Sequence, residues 1–416
     1  MSRYPLVSII TPSYNQAQFI RYTLDSILNQ DYPNLECIVI DGGSTDDTIS
    51  ILEYYRQKDR RFTYVSERDR GQSHAINKGI AMAKGDIIGW LNSDDTYLPG
   101  AVRKAVHALH THPHWSMVYG NANVINERNA FVHSFDVQPY DLRTMFEICS
   151  ICQPAAFLRK QTLIDVGGID ESYDFCMDYN LWIRIGKQHL IGYINELWAN
   201  HRIHQEAKGH TQFGTVGITE IFRTSKAFYG AISNTWIHYY VMFHREQGAV
   251  GLVHHLKKDD IFGTSPAIQY ANVKANCPVP DRWYFHIQHD QENPLHAFAI
   301  HGHNDAEART CHVVLSGDHV SSFTIPQGKF ELVIPIVSLP IVSDKPTISL
   351  EIHVSSSPSS TSDLSIRDNT FLEPSLQLSH FVPLSAREAA FYDAFTIHPF
   401  GIDKWLQQHR KVTPHY

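Results

Sequence analysis

Residues 87–95 read Ile-Ile-Gly-Trp-Leu-Asn-Ser-Asp-Asp, and this stretch decides the fold class of the chain. Its first five residues are apolar and predict a short buried strand, and a polar loop with two adjacent carboxylates, Asp94 and Asp95, follows at once. Carboxylate oxygens at a strand end suit Mg²⁺ or Mn²⁺, which would bridge a diphosphate. An Asx turn that merely closes the connection would use the same residue types. The stretch therefore predicts a strand with an acidic loop and leaves the role of the loop open.

Apolar runs and amphipathic segments alternate on the N-terminal side of this stretch. The pattern predicts strands at residues 6–11, 35–40 and 62–65 and helices at 19–28, 44–55 and 75–83. Strands that alternate with helices form βαβ units, so we expect an α/β fold with a doubly wound, mainly parallel sheet. Ligands of such sheets bind beyond the carboxyl ends of the strands.

Polar clusters occupy those strand ends. The clusters are Thr-Pro-Ser-Tyr-Asn at 11–15, Asp-Gly-Gly-Ser-Thr-Asp-Asp at 41–47 and Gly-Gln-Ser-His-Ala-Ile-Asn-Lys-Gly at 71–79. Asp41 could accept a hydrogen bond from a nucleotide base, and the glycines after it permit close backbone approach. The loop and helix start at 67–79 could hold a diphosphate or a sugar, although its basic residues alone would be typical of a solvated surface.

The four clusters at 11–15, 41–47, 71–79 and 92–95 occur in an order that closely resembles the family 2 glycosyltransferases of the GT-A fold. The resemblance covers about residues 5–205, half of the chain. It implies a metal-dependent, inverting glycosyltransferase that uses Mn²⁺ or Mg²⁺. Such an enzyme moves a sugar from a nucleotide-sugar donor, usually UDP-linked, to a hydroxyl acceptor in polysaccharide or glycan assembly.

The resemblance also implies roles for single residues on the donor side. Asp41 would contact the base, and Pro12 and Tyr14 would line its pocket. Asp95 would ligate the metal and Asp94 would hold the ribose or the sugar, although position 92 is Asn and departs from a literal Asp-x-Asp. The remaining donor-binding expectations are Thr11, Arg68, Gln72, Asn77 and Lys78.

Two later patterns complete the implied site. Met-Asp-Tyr-Asn-Leu-Trp at 177–182 is similar to the family's Glu-Asp-Tyr-x-Leu-Trp, so the resemblance assigns Asp178 as the catalytic base, with Met177 in place of the preceding acid. A carboxylate favoured by the dipole of a helix N-terminus is the alternative for Asp178. His204, in His-Arg-Ile-His at 201–204, is assigned to the metal or the diphosphate, and a packing histidine is its alternative.

Two other functions compete with a transferase. A sugar nucleotidyltransferase would carry a Gly-rich loop with Arg or Lys after the first strand, and residues 11–15 contain neither. A catalytically silent protein that binds nucleotide sugars or glycans is the second alternative. The presence of Asp94, Asp95 and Asp178 together favours the enzyme.

The remainder of the chain divides into two predicted parts after a GT-A domain at 1–213. Residues 214–275 are expected to form a helical extension, whose aromatic residues favour helix packing over contact with a membrane. Residues 276–416 contain short extended runs separated by turns, which predict a sandwich-like β-rich module with a Ser-rich loop at 355–362 and a terminal helix at 386–410.

Composition limits the partners and the compartment. The net charge of −8 argues against nucleic acid as a partner. The six cysteines are scattered and are expected to be reduced thiols, and no secretory signal or apolar run of about 20 residues is visible. We therefore expect a cytoplasmic protein, with peripheral contact at the inner face of a membrane and a glycan or lipid-linked acceptor left open.

Overall fold

The computed structural model describes residues 5–244, 267–271, 277–278, 282–288, 295–305, 308–315, 318–335, 347–354, 376–386 and 388–390. The described residues divide into two compact units, the first formed by those up to Tyr239 and the second by those from Tyr240 to residue 390.

The first unit begins with three βα repeats and a fourth strand. They are β1 (Val7–Ser13), α1 (Ile20–Leu28), β2 (Leu35–Asp41), α2 (Thr48–Lys58), β3 (Phe62–Ser66), α3 (Gln72–Met82) and β4 (Ile87–Trp90). Strand β1 pairs in parallel with β2 on one side and with β4 on the other, and every residue of β1 is buried. A parallel strand that is covered on both faces consists mainly of apolar residues, as the Val-Ser-Ile-Ile run at 7–10 does. The hydroxyl of Ser8, the polar side chain in this run, donates a hydrogen bond to Glu36.

The second half of this unit extends the sheet. Its elements are β5 (Thr96–Tyr97), α4 (Ala101–Thr111), β6 (Trp115–Ile125), β7 (Phe131–Ser134), α5 (Leu142–Glu147), β8 (Ala156–Arg159), α6 (Lys160–Asp165), α7 (Met177–Gln188), β9 (Leu190–Arg202), α8 (Lys208–Thr211), α9 (Ile218–Tyr229) and α10 (Asn234–His244). The strand order is β3-β2-β1-β4-β8-β6-β9-β5, with β7 beside β6. Strand β8 is antiparallel to both of its neighbours, and β6 and β9 are parallel. The predicted α/β, mainly parallel, doubly wound sheet is confirmed.

Close approach of α3 to the sheet explains one glycine of the 71–79 cluster. A Cβ atom at Gly79 would lie 2.3 Å from Cγ2 of Ile10 on β1. Any larger residue would push the helix away from the strand. This contact sets the distance between α3 and the carboxyl end of β1, where the candidate site lies.

The second unit is built from antiparallel strands. They are β10 (Ala267–Ala271), β11 (Cys277–Pro278), β12 (Arg282–Gln288), β13 (Ala297–Asn304), β14 (Arg309–Leu315), β15 (Asp318–Ile325), β16 (Gly328–Pro335), β17 (Thr347–Val354) and β18 (Leu376–Leu384). They form a five-stranded sheet, β10-β12-β17-β14-β15, and a four-stranded sheet, β11-β18-β13-β16. Phe285 stacks on Phe381 at 3.6 Å between ring centroids, within a core that also contains Trp283 and Phe298. The predicted β-rich C-terminal region is confirmed.

Several expectations fall wholly or partly outside the described residues. The Ser-rich loop at 355–362 lies outside them, as do residues 245–266 of the helical extension and residues 391–410 of the terminal helix. The domain boundaries at 213 and 275 remain predictions. In the parts of the chain that the structure describes, no helix is both long and apolar enough to cross a membrane.

Candidate active site

A cavity of about 1210 Å³ lies in the first unit, at the carboxyl ends of β1 and β4. One group of lining residues, which we name the strand-end wall, lies at or near the strand ends and comprises Pro12, Tyr14, Gln72, Asn92 and Asp94. A second group, the helix wall, lies on or beside the later helices and comprises Phe175, Asp178, Lys208, Phe213 and Trp236. His201 and His204, at the end of β9, also line the cavity. The position is the one at which ligands bind to open α/β sheets.

The two adjacent carboxylates of the acidic loop have different surroundings. Asp94 lines the cavity, and its Oδ2 lies 3.1 Å from Nε2 of His204. Asp95 is 1% exposed, and its Oδ1 accepts a hydrogen bond of 2.8 Å from the backbone N–H of Arg202. The same oxygen lies 3.3 Å from Nδ1 of His201. Asp95 thus joins the acidic loop to β9, whereas Asp94 faces the cavity.

Electrostatic coupling links Asp95 to His201. Burial, together with the charge of Asp94, raises the pKa of Asp95. Burial alone would lower the pKa of His201, but the neighbouring Asp95 and Asp94 raise it above its usual value. Both shifts favour a proton held between His201, which lines the cavity, and the buried Asp95.

Arg202 stabilises the acidic loop through hydrogen bonds of its side chain. Its side chain is fully buried, and its Nε donates to the backbone oxygen of Asp94 at 2.7 Å. Its other nitrogens donate to the backbone oxygen of Asn126 at 3.0 Å and to Oδ1 of Asn129 at 2.8 Å. In the His-Arg-Ile-His pattern, the arginine therefore holds the loop while His204 reaches the cavity.

Asp41 is buried within its own loop. Its Oδ2 accepts hydrogen bonds from the backbone N–H groups of Gly43 at 3.0 Å and Ser44 at 2.9 Å, and from Oγ of Ser66 at 2.7 Å. Its Oδ1 accepts from the hydroxyl of Ser44. Gly43 has a φ of +85°, which glycine adopts without strain. Asp41 therefore shapes the 41–47 loop and is absent from the cavity lining.

Asn92 is the centre of a hydrogen-bonded chain on the strand-end wall. Its Oδ1 accepts from Nε2 of Gln72 at 2.9 Å and from Nε1 of Trp90 at 3.0 Å. Its Nδ2 donates to Oε1 of Gln153 at 3.0 Å and lies 3.4 Å from Oδ2 of Asp95. An aspartate could not donate to Gln153, so the departure from a literal Asp-x-Asp has a structural reason.

Only some of the other residues that were predicted to bind the donor line the cavity. Pro12 and Tyr14 line the cavity, and Tyr14 is 60% exposed, whereas Thr11 is fully buried beneath them. Asn77 accepts from the backbone N–H of Ile169 at 3.0 Å and donates to the Ile169 oxygen at 2.9 Å. Lys78 pairs with Glu67. Asn77, Lys78 and the exposed Arg68 do not belong to the described cavity lining.

Asp178 lies in the first turn of α7 and faces the cavity. Burial raises the pKa of Asp178 to about 6, against the opposing effects of the backbone N–H of Tyr179 and of His201. Its Oδ1 accepts from the Tyr179 N–H at 2.7 Å. A carboxylate with a pKa near neutrality can take up a proton during a reaction and release it again.

Three thiols lie around this carboxylate. Cys149, Cys152 and Cys176 line the cavity and, like Cys37 and Cys311, are free. Burial raises the pKa of each of the three. They are therefore protonated and unreactive near neutral pH, which agrees with the expected structural thiols.

The cavity also offers a place for a divalent cation. Among the described residues, no group of three or more His, Cys, Asp and Glu side chains could hold a metal by itself. Asp94 and His204 are two converging ligands of the kinds that Mn²⁺ accepts, and oxygens of a bound diphosphate and of water would have to supply the others. The residues present therefore fit a metal that binds together with a nucleotide.

Two residues at or next to the site, Lys208 and Glu220, lie outside the sequence motifs. Lys208 lines the cavity, its Nζ donates to the backbone oxygen of Asp174 at 2.7 Å, and burial lowers its pKa. Glu220, on α9, accepts hydrogen bonds from the loop that precedes α7. Both follow residue 205, and no pattern in their neighbourhood signals a role.

Comparison with known proteins agrees with this geometry. The family model "Glycosyl transferase family 2" matches residues 8–167. Chondroitin synthase of Escherichia coli is 29% identical over 207 residues, which cover 50% of this chain and 30% of the relative. An uncharacterized glycosyltransferase of Rickettsia prowazekii is 30% identical over 213 residues, or 48% of this chain and 64% of the relative. Hyaluronan synthase of Pasteurella multocida is 26% identical over 204 residues, 49% and 21% respectively.

Solved structures with a similar arrangement include two glycosyltransferases. S. aureus TarS 1–349 in complex with UDP-GlcNAc has a TM-score of 0.46 and 18% identity, over 61% of this chain and 80% of that one. The mannosyltransferase PcManGT from Pyrobaculum calidifontis, in complex with GDP-Man and Mn²⁺, has a TM-score of 0.43 and 20% identity, over 62% and 74%. The chain spans less than two thirds of the length of the curated relatives named above. The family match and the relatives together identify residues 8–167 as a glycosyltransferase family 2 domain.

Proposed function

We propose that this chain is a metal-dependent, inverting glycosyltransferase that moves a sugar from a UDP-linked donor to a hydroxyl acceptor. The observation that carries the proposal is the composition of one cavity, which is lined both by the hydrogen-bonded pair Asp94 and His204 and by Asp178. A nucleotide sugar bound between them would present its diphosphate to the first pair and its anomeric carbon towards the second.

The strand-end wall is proposed to bind the donor. Tyr14 and Pro12 would pack against the base, and Gln72 would approach the sugar or the diphosphate through the amide group that it presents beside Asn92. Asp41 would act through the 41–47 loop, whose backbone it holds, or contact the base after a change of that loop. Thr11 lies beneath this wall and would support it.

The residues of α3 and the loop before it are proposed to act indirectly. Asn77 holds the segment at 169–171, and Lys78 and Arg68 contribute positive charge outside the described cavity lining. We expect their effect on donor binding to be smaller than that of the residues on the cavity surface, because exposed charges are screened by solvent.

A divalent cation is proposed to bind Asp94 and His204. The bound Mn²⁺ or Mg²⁺ would neutralise the charge that develops on the departing nucleoside diphosphate. Asp95 would position this pair, since its Oδ1 accepts from the backbone of β9 and lies beside His201. Lys208 adds a cationic group on the helix wall.

Asp178 is proposed as the catalytic base. It would remove the proton from the acceptor hydroxyl as that oxygen attacks the anomeric carbon and the nucleoside diphosphate leaves. Its pKa of about 6 leaves the carboxylate ionised at neutral pH while making it a stronger base than an ordinary aspartate. A single displacement of this kind inverts the anomeric configuration, as the family resemblance implies.

The product class is proposed from the named relatives. Two of them are a chondroitin synthase and a hyaluronan synthase, which supports polysaccharide or glycan assembly as the setting for this chain. We propose a cytoplasmic location, with access to glycan or lipid-linked acceptors at the inner face of a membrane.

Donor turnover in the absence of an added acceptor tests the proposal. The full chain is incubated with UDP-, GDP- and dTDP-sugars, with Mn²⁺ or with EDTA, and release of the nucleoside diphosphate and of the free sugar is measured. We expect one donor class to be hydrolysed slowly with Mn²⁺ and not with EDTA, and the released sugar to have the inverted configuration. Failure of every nucleotide sugar to bind, measured by calorimetry with and without Mn²⁺, would contradict the transferase function.

A further inference from the structure

A buried glutamate outside the family match holds the segment that leads into α7. Glu220 lies in the first turn of α9 and is 8% exposed. Its Oε1 accepts a hydrogen bond from the backbone N–H of Asp174 at 2.8 Å. Its Oε2 accepts from the N–H groups of Phe175 at 2.9 Å and Cys176 at 2.8 Å. One carboxylate therefore binds three consecutive backbone donors.

Other groups on α9 bind the residues just before these three. Nη2 of Arg223 donates to the backbone oxygen of Ser172 at 2.9 Å, and its guanidinium carbon lies 3.8 Å from the ring centroid of Tyr173. Oγ1 of Thr224 donates to the hydroxyl of Tyr173 at 3.0 Å. Residues 172–176, which we name the α7 entry loop, thus make six contacts with α9, in addition to single hydrogen bonds from Ser73 of α3 and Lys208 of α8.

The entry loop leads directly to Asp178. Cys176 precedes α7, Met177 is 3% exposed, and Asp178 is the second residue of the helix. Because the backbone is continuous from Asp174 into the first turn, the three bonds to Glu220 limit the directions in which that turn can point. A displacement of about 1 Å at a reacting group is enough to lower a rate strongly.

A glutamate at position 220 can hold three backbone N–H groups better than a neutral residue can. A carboxylate presents two acceptor oxygens, and hydrogen bonds to charged acceptors are shorter and stronger than those between neutral groups. An alanine would leave three backbone N–H donors without this acceptor, that of Cys176 in a buried position, and a glutamine could accept only through one of its two terminal atoms.

We propose that Glu220 is a positioning residue for transfer, which holds the α7 entry loop so that Asp178 faces the acceptor side of the cavity. The inference rests on the proposed function in one respect, the role of Asp178 as base. It adds to that function a residue of α9, a helix that begins some fifty residues after the family match ends at residue 167.

Hydrogen exchange of the full chain tests the positional part without any substrate. The variants are Glu220→Ala and Glu220→Gln, with Glu196→Gln as the control, because Glu196 is half exposed and pairs with Lys104 on the surface. We expect amide exchange in a peptide that covers residues 172–178 to be at least about tenfold faster in Glu220→Ala, less affected in Glu220→Gln and unchanged in the control. Peptides from β1 and β4 report whether the sheet remains folded.

Donor binding and turnover test the catalytic part. With UDP-GlcNAc and the other nucleotide sugars of the panel as probes, we expect kcat for hydrolysis to fall about 10- to 100-fold in Glu220→Ala, partly recover in Glu220→Gln, and donor Kd to change less than about twofold. A merely structural role would weaken donor binding and turnover together and would accelerate exchange in β1 and β4.

A pH profile separates positioning from a general loss of folded enzyme. Asp178 is faced by His201 on β9, by Cys149 and Cys152, by Cys176 of the entry loop and by Glu220 on α9. The negative charge of Glu220 contributes to the raised pKa of Asp178. The acidic limb of the kcat profile should therefore move to lower pH in Glu220→Gln and stay in place in Glu196→Gln.

The possible outcomes distinguish the inference from the proposed function. Unchanged exchange at 172–178 in Glu220→Ala, or a parallel loss of donor binding and turnover, would overturn the positioning role of Glu220. Wild-type protein that binds no nucleotide sugar would contradict the transferase function and, with it, the catalytic part of the inference. Faster local exchange with a selective loss of kcat would support both.

Discussion

The two walls of the cavity are stabilised in different ways. On the strand-end wall, the amide oxygen of Asn92 accepts from Gln72 and Trp90, both of which lie in the sequence stretches at 71–79 and 87–95. On the helix wall, the entry loop is held by groups 44 to 51 residues later in the chain, on α9. The difference shows that local motifs can identify the first wall, whereas the second depends on how a later helix packs.

The largest expected effect is that of Asp178→Asn on the helix wall. The variant keeps the size of the side chain and removes the base, so turnover of the donor should fall by about 10²- to 10⁴-fold. Donor Kd, measured by calorimetry, should remain within about twofold, because the strand-end wall is unchanged. Equal turnover in variant and wild type would show that Asp178 is not the base.

A smaller loss is expected from Asp94→Asn on the strand-end wall. The change removes a charged ligand beside His204, so Mn²⁺-dependent turnover should fall on the order of 10²-fold and the Mn²⁺ concentration for half-maximal activity should rise. Asp31→Asn is the matched control, because Asp31 is an exposed carboxylate that pairs with Arg103. If Mn²⁺ titrations of the two variants coincide, the assignment of Asp94 to the metal is wrong.

The pH dependence of turnover reports the electrostatics of the helix wall. The pKa of Asp178 is raised to about 6, so protonation should remove the base as the pH falls through about 6. Below that value kcat should decrease about tenfold per pH unit, whereas an ordinary aspartate would titrate about two units lower. A kcat that stays constant between pH 7 and pH 5 would contradict the raised pKa.

Asn92→Asp tests whether the strand-end wall needs an amide rather than an acid. The substitution creates a literal Asp-x-Asp but loses the donation to Gln153 and adds a negative charge near Asp95. Urea unfolding should show a loss of about 1–3 kcal/mol in the free energy of unfolding. Stability equal to that of the wild type, together with tighter Mn²⁺ binding, would indicate that the site accepts a third acid.

The smallest effect is expected from Lys78→Met. Lys78 pairs with Glu67, whose side chain is 61% exposed, and it lies outside the described cavity lining. The free energy of unfolding should change by less than about 1 kcal/mol, and the KM for the donor by less than about threefold. A tenfold rise in KM would instead support a direct contact between Lys78 and the diphosphate, as the sequence motif suggested.

Much of the fold could be predicted because its signals are local. The apolar runs that became β1, β2 and β4 are uniformly or mostly buried, whereas β3 buries only Phe62, and the turns after β1, β2 and β4 carry glycines or polar residues in the expected places. The long β9 and the antiparallel β8 were not predicted, because their pairing partners are distant in the chain and only the completed sheet covers their apolar faces.

The sequence predicted which residue types form the site, but it did not predict which of their side chains reach the cavity. Asp94, Asp178 and His204 were found by pattern, and they line one cavity. The sequence could not show that Asp41 and Asp95 direct their oxygens into the protein, since that depends on Ser66 and on the backbone of Arg202. Lys208 and Glu220 carried no signal because each is a single polar residue in a segment without a motif.

Sequence by itself determined the order of strands and helices from β1 to β4, the acidic loop after β4 and the resemblance to family 2 glycosyltransferases. These features follow from hydrophobic periodicity and from short polar motifs, which act over a few residues. Only the tertiary structure decided which carboxylates reach the cavity and which hold loops. The physical reason is that a buried carboxylate takes its partners from whatever backbone packs against it, and for Asp95 and Glu220 those partners lie 107 and 44 to 46 residues away.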